Sequence, residues 1–211
     1  MNPTAPFPEL KRGLVAILRG LAPDQAVAVG AAIFEAGIEA IEVPLNSPDP
    51  FASIKALVSA LPRTAWIGAG TVLTAAQVGS LHDAGGRLLV SPNIDPEVMA
   101  AAAKHGMVTM PGVFTPSEAF LALRLGASAL KFFPASALGP AGIAAIKAVL
   151  PHDAVLGVVG GVSETNFADY ARIGVRTFGL GSSLFTPGST VPDIRARAVA
   201  AVAAWDATFR A

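Results

Sequence analysis

Eight short apolar runs divide the chain, at residues 14–20, 40–45, 65–72, 88–93, 108–113, 129–134, 154–161 and 177–184. Their first residues lie 26, 25, 23, 20, 21, 25 and 23 positions apart. Each run is rich in Val, Ile, Leu and Phe and too short for a membrane, the pattern of a strand buried on both faces. Alanine-rich amphipathic stretches fill the gaps. Several open on a polar residue that can satisfy the first free N–H groups of a helix: Asp24 before 25–36, Thr74 before 75–84, Thr115-Pro116 before 117–125, and Ser163 at the head of 163–173. Several also stop at a glycine, at Gly37, Gly85, Gly106, Gly126 and Gly174, which supplies the left-handed turn that ends a helix. The apolar stretch 194–209 reads as a closing helix.

Strand and helix alternate about once per βα unit, which predicts an α/β fold: a (β/α)8 TIM barrel, one domain over residues 1–211. A doubly wound open sheet is the competing architecture. It lacks a glycine fingerprint after the first strand and must find room for eight parallel strands. The barrel is near the small end of the usual range, so long lids are not expected.

Composition narrows the picture. Hydrophobic residues make up 53% of the 211 and charged residues only 14%, with a mean hydropathy of +0.57, which excludes a disordered chain. Fifteen basic residues against fifteen acidic give a net charge of zero, so no field attracts nucleic acid or an anionic membrane. The longest apolar runs, 26–34 and 154–162, hold nine residues each, against roughly 20 for a spanning helix. There is no Cys, hence no disulfide, no thiolate nucleophile and no thiolate metal site. Residues 1–8 show no basic segment followed by an apolar core, which predicts no secretory signal and a cytoplasmic protein. So few charges on so apolar a chain imply hidden surface in a homo-oligomer; a large core in an alanine-rich monomer is the alternative.

Barrel enzymes place their chemistry at the C-terminal ends of the strands. Only Arg19, Glu42 and Lys131 put a charge inside an apolar run or at its exit, whereas Arg87 and Arg176 sit at strand entrances. Lys131 is one of five lysines and alone occupies an apolar strand, Ala129-Leu130-Lys131-Phe132-Phe133-Pro134. Burial there lowers an amine's pKa and frees it to attack a carbonyl. A structural ion pair with Glu42 is the competing reading. Glu42 itself is suited to moving protons beside such an amine, or to pairing with Lys131 or Arg19. Arg19 ends the first run and suits a substrate carboxylate, or a surface ion pair. Two glycine-rich exits, Val159-Gly160-Gly161-Val162-Ser163 and Gly179-Leu180-Gly181-Ser182-Ser183, fall where such barrels bind phosphate; tight packing is the alternative. His82, His105 and His152 are scattered away from strand exits, so no metal site is expected.

With these residues placed, the chain resembles the 2-keto-3-deoxy-6-phosphogluconate/galactonate aldolases, the class I pyruvate aldolases of sugar-acid breakdown. The resemblance runs through Ile17-Leu18-Arg19-Gly20, Glu42-Val43-Pro44-Leu45-Asn46-Ser47-Pro48, Ile67-Gly68-Ala69-Gly70-Thr71-Val72, Ser91-Pro92-Asn93, Leu130-Lys131-Phe132-Phe133-Pro134, Val159-Gly160-Gly161-Val162 and Gly179-Leu180-Gly181-Ser182. It implies that Lys131 forms the Schiff base and Glu42 shuttles protons. Arg19 and Thr71 would hold the pyruvate-derived end, and Gly160, Gly161, Gly181 and Ser182 the phosphate. The implied reaction is reversible cleavage of a phosphorylated keto-deoxy sugar acid into pyruvate and D-glyceraldehyde 3-phosphate, with no cofactor or metal, by a homotrimer. The gluconate members usually read Glu-Val-Thr-Leu-Arg and Thr-Gly-Gly where this chain has Glu42-Val43-Pro44-Leu45-Asn46 and Val159-Gly160-Gly161. Asn46 and Val159 thus look like the galactonate branch, with activity on the gluconate epimer left open; a sugar-phosphate epimerase or isomerase barrel, with the same phosphate loops and Glu42 as base, is the competing function.

Overall fold

The computed structural model describes residues 4–210. Residues 1–3, within the segment read for a leader, and residue 211 lie outside the described residues. Strand β1 (Leu14–Ile17) leads through helix α1 (Pro23–Ala36) to β2 (Ala40–Pro44), and α2 (Pro50–Ala60) leads to β3 (Trp66–Gly70). There follow α3 (Ala75–Asp83), β4 (Leu88–Val90), α4 (Pro96–Lys104), β5 (Val108–Met110) and β6 (Gly112–Val113). Then come α5 (Pro116–Arg124), β7 (Leu130–Phe132), α6 (Ala135–Lys147), β8 (Leu156–Val159), α7 (Phe167–Ala171), β9 (Thr177–Leu180) and α8 (Val191–Phe209).

All the strands join one parallel sheet in the order β5-β4-β3-β2-β1-β9-β8-β7-β6. The fifth run, 108–113, is the one that divides. Pro111 has no N–H to give a ladder and separates β5 from β6. β5 pairs with β4 and β6 with β7, so these two are halves of one strand and the ring closes through the chain itself. Bonds from Ala129 N to Thr109 O (3.0 Å) and from Lys131 N to Pro111 O (2.9 Å) complete the seam. The architecture is the (β/α)8 barrel expected from the spacing.

Helix starts follow the sequence in two cases and depart from it in two. Thr74 and Thr115 each accept the amide three residues on, and Gln77 and Glu118 return the bond, forming two reciprocal caps. Asp24 does not cap α1: Pro23 already occupies the first turn, and Asp24 lies within it, where its charge favours the helix dipole. The stretch 163–173 is helical only over Phe167–Ala171, because the Asn166 side chain takes the Ser163 amide (3.1 Å) and holds the preceding residues in a turn. The five glycines expected at helix ends all adopt positive φ, from 62° to 107°.

Two cores result. Leu14, Ala16, Ile41, Val43, Leu130 and Phe132 face outward into the layer between sheet and helices. Val15, Ala40, Leu88, Val90, Val108, Met110 and Ala129 fill the lower barrel interior. Side chains alternate along a strand, so the residues two positions beyond Ala40 and Ala129 also point inward, nearer the C-terminal mouth. Those residues are Glu42 and Lys131.

Candidate active site

Glu42 and Lys131 are both almost completely buried, at 1% and 5% exposure. In register, Lys131 stands between Gly112 and Gly157, and Glu42 has Gly68 beside it, so small neighbours leave room for both side chains. Gly70 is more specific: a Cβ built there would run into the Glu42 carboxylate. Among the described residues Glu42 Oε2 has no hydrogen-bond partner. Nor does Lys131 Nζ make an ion pair within 4.0 Å among them; it lies 4.8 Å from the centre of the Phe133 ring. The structural ion pair with Glu42 is therefore not formed.

Desolvation governs both groups. Burial raises the Glu42 pKa to about 7, against the opposing pull of the Lys131 and Arg19 charges. Burial also lowers the Lys131 pKa, helped by repulsion from Arg19 and opposed by Glu42. A poised amine and a carboxyl that titrates near neutrality can respectively attack a carbonyl and carry protons in both directions.

Arg19 reaches across the mouth from the end of β1. Its Nη1 donates to Asn46 Oδ1, and its two Nη atoms lie 3.5 and 3.4 Å from Thr71 Oγ1. Arg19, Asn46 and Thr71 thus form one polar rim, and among the described residues Arg19 is in no ion pair. Thr71 is held at φ 56°, an unusual conformation for a β-branched residue that costs on the order of 1–3 kcal/mol. The Gly20 amide donates to Ser47 Oγ (2.9 Å), fastening the exit of β1 to that of β2.

Beside this rim, a hollow of about 170 Å³ is lined by Arg19, Phe133, Val159 and both glycine-rich exits. Gly160 and Gly161 have φ of 89° and 76°, which only glycine adopts readily. A Cβ on Gly160 would press on Phe133 at 3.2 Å, and one on Gly161 would meet Ser136 at 2.6 Å. The amides of Gly161, Val162, Gly181 and Ser182 find no acceptor among the described residues. Free N–H groups on two adjoining loops make an anion-binding surface.

The residues assigned to a site from the sequence, Arg19, Glu42, Asn46, Thr71, Lys131, Val159, Gly160, Gly161, Gly181 and Ser182, therefore all lie at this mouth. Phe133, packed against the Lys131 amine, and Gly70, which makes space for Glu42, had no assigned part in the sequence reading. A glycine facing a buried carboxylate in the adjoining strand was the available signal. The histidines lie apart. His82 and His105 stack on each other with ring centres 4.3 Å apart. No group of three or more metal-ligating side chains occurs among the described residues.

A closed parallel barrel, with an amine and a carboxyl inside its mouth and an anion-binding rim, has the equipment of a carbon–carbon lyase. The profile of the aldolase family described as KDPG and KHG aldolase matches residues 9–202, and the chain belongs to this family. It is 61% identical over 204 residues to a probable 2-dehydro-3-deoxy-6-phosphogalactonate aldolase of Rhizobium meliloti (strain 1021), covering 97% of this chain and 96% of that protein. It is 47% identical to the 2-dehydro-3-deoxy-6-phosphogalactonate aldolase of Escherichia coli (strain K12), covering 93% and 96%. The solved native KDPGal structure superposes with a TM-score of 0.94 at 46% identity, over 96% of this chain and 98% of that one. A KDPG aldolase from Legionella pneumophila, with pyruvate captured at low pH as a covalent carbinolamine intermediate, superposes with a TM-score of 0.79 at 28% identity, over 93% and 94%.

Proposed function

We propose that this protein is a class I aldolase that reversibly cleaves 2-dehydro-3-deoxy-6-phosphogalactonate to pyruvate and D-glyceraldehyde 3-phosphate. The observation that carries the proposal is Lys131, an amine buried at the barrel mouth without an ion pair and with a lowered pKa. The names of the Rhizobium and E. coli relatives support the substrate, and the carbinolamine of the Legionella relative supports a covalent route.

In this mechanism neutral Lys131 Nζ adds to the C2 carbonyl of the keto acid. Glu42 passes protons so that the former carbonyl oxygen leaves as water and an iminium ion remains. The C4 hydroxyl then gives its proton to Glu42 as the C3–C4 electron pair moves into the iminium. D-Glyceraldehyde 3-phosphate departs and an enamine stays on Lys131. Glu42 returns a proton to C3, and water hydrolyses the resulting imine to pyruvate and the free amine. The protonated imine is the electron sink, so the steps written require no metal or other cofactor. Arg19, Thr71 and Asn46 hold the carboxylate end. Gly160, Gly161, Gly181 and Ser182 hold the phosphate through the free amides and the Ser182 hydroxyl. Val159 presents an apolar wall where a threonine would offer a hydroxyl to a substrate carbinol, which favours the galactonate epimer.

A homotrimer and a cytoplasmic location belong to the same proposal. The trimer is supported by the low charge content and by half-exposed apolar side chains such as Phe114, Phe120 and Leu73.

Trapping with pyruvate and borohydride tests the chemistry: intact mass and peptide mapping should find one reduced adduct, on Lys131. Folded protein that acquires none overturns the mechanism. The ratio of kcat/KM for the two epimeric acids tests the branch, and a preference for the gluconate epimer overturns the galactonate assignment.

A further inference from the structure

The loop that follows β8 has its carbonyls and its amides treated differently. Three consecutive carbonyls are each occupied. The Ser136 amide donates to Gly160 O (3.0 Å), Asn166 Nδ2 donates to Gly161 O (2.9 Å), and Ser183 Oγ donates to Val162 O (3.0 Å). Asn166 holds the loop twice, since its Oδ1 also accepts the Ser163 amide (3.1 Å). The amides of Gly161 and Val162, by contrast, have no acceptor among the described residues. A peptide whose carbonyl is pinned on one side presents its neighbouring N–H to the other, and glycines at positive φ let two successive peptides turn in this way.

We infer that Asn166 is a positioning residue for phosphate: by fixing the Gly161 carbonyl, it keeps the Val162 N–H of the same peptide turned the other way, toward the substrate's phosphate group. It need not touch the substrate. The Asn166 side chain is suited to this because one amide group supplies both a donor for Gly161 and an acceptor for Ser163. Ser183 couples the two glycine-rich exits, because it belongs to the β9 exit and holds a carbonyl of the β8 exit. The inference rests on the phosphate reading of these loops proposed above.

Asn166→Asp is the direct test. It retains the acceptor for Ser163 and replaces the donor to Gly161 with an oxygen that repels that carbonyl. Steady-state kinetics on the phosphorylated keto-deoxy acid and its non-phosphorylated counterpart should show the preference for the phosphorylated acid falling about ten-fold, the equivalent of one hydrogen bond. The loss should appear in KM rather than kcat, with a matching rise in the inhibition constant of inorganic phosphate. Asn166→Ala supplies a second variant if Asn166→Asp folds poorly: it also removes the donor to Gly161, and should shift the same ratio in the same direction. A folded variant of either kind that keeps the wild-type preference and phosphate inhibition overturns the inference. So does a fall in kcat for both acids in proportion, which is the signature of a merely structural brace. If wild-type protein itself neither prefers the phosphorylated acid nor responds to phosphate, the phosphate reading of the loops has failed, and the inference falls with it.

Discussion

The two ends of the barrel handle polar groups in opposite ways. At the N-terminal end they are satisfied. Thr4 Oγ1 bonds Thr109 Oγ1 (3.0 Å), Ser128 Oγ (2.9 Å) and the Gly126 carbonyl (2.6 Å). Arg87 donates to the carbonyls of Arg63 and Ala65 while its guanidinium lies 4.2 Å from the centre of the Trp66 ring. Arg12 grips both carboxylate oxygens of Asp206. At the C-terminal mouth, Glu42 Oε2 is buried without a partner and Lys131 without an ion pair, and Thr71 sits at positive φ. A side chain that has its bonds already has nothing left to offer a substrate. The lower end therefore contributes stability, and the mouth keeps costly groups available for chemistry.

The contrast is sharpest at Lys131. Lys131→Met should remove cleavage, with kcat/KM falling by more than about 10⁴-fold, because no other amine can form the imine. The same change should leave the melting temperature level or raise it, since a long apolar side chain replaces a buried charge. A variant that melts far lower would mean that the lysine is structural after all.

Glu42→Gln comes next, with a fall of about 10²–10⁴-fold expected for a lost general acid–base. Wild-type activity should rise with pH through about 7 as this carboxyl ionises, and the variant's profile should lack that limb. Stability gives a second reading. The folded protein holds the Glu42 proton up to about pH 7, whereas the unfolded chain releases it near 4.5. Any stability from that proton is thus complete below pH 4.5 and lost as pH rises to 7. Glutamine does not titrate, so the variant should gain on wild type across this window, by up to roughly 3 kcal/mol. Calorimetry at pH 5 and pH 8 would detect the trend, and a constant difference in melting temperature would contradict it.

Gly70→Ala should displace the Glu42 carboxylate without altering its chemistry. A ten- to hundred-fold loss of activity, a shifted acidic limb and about 1–3 kcal/mol of destabilisation are expected. Unaltered kinetics would show that the carboxylate has another place to sit.

Thr109→Val makes the converse change at the closed end. It removes the bonds to Thr4 and Ser128 and should cost about 1–3 kcal/mol of stability, a few degrees in melting temperature, with kcat/KM unchanged. A large kinetic effect there would dissolve the division between the two ends.

Much of this was readable in the chain because double-sided burial makes strand composition monotonous, so that one lysine or glutamate stands out against it. Lys131 and Glu42 were visible for that reason, and the repeat spacing gave the barrel. What escaped was set by side-chain contacts that composition and periodicity do not carry. The shortened α7 follows from Asn166 bonding to Ser163, which local amphipathicity does not report. The space that Gly70 leaves for Glu42 depends on how β2 lies against β3, and the ring of Phe133 meets the Lys131 amine only once β7 has turned. The break at Pro111 did carry a local signal, since proline inside an apolar run marks interrupted pairing.

That break has a consequence beyond the site. Because the strand turns from one neighbour to the other within a single residue, every strand is flanked on both sides and the sheet offers no row of vacant donors and acceptors to a foreign β-segment. The trimer proposed above would then be built from surface residues such as Phe114 and Phe120 and not from shared strand ladders, so substitutions there should alter assembly while the barrel remains intact.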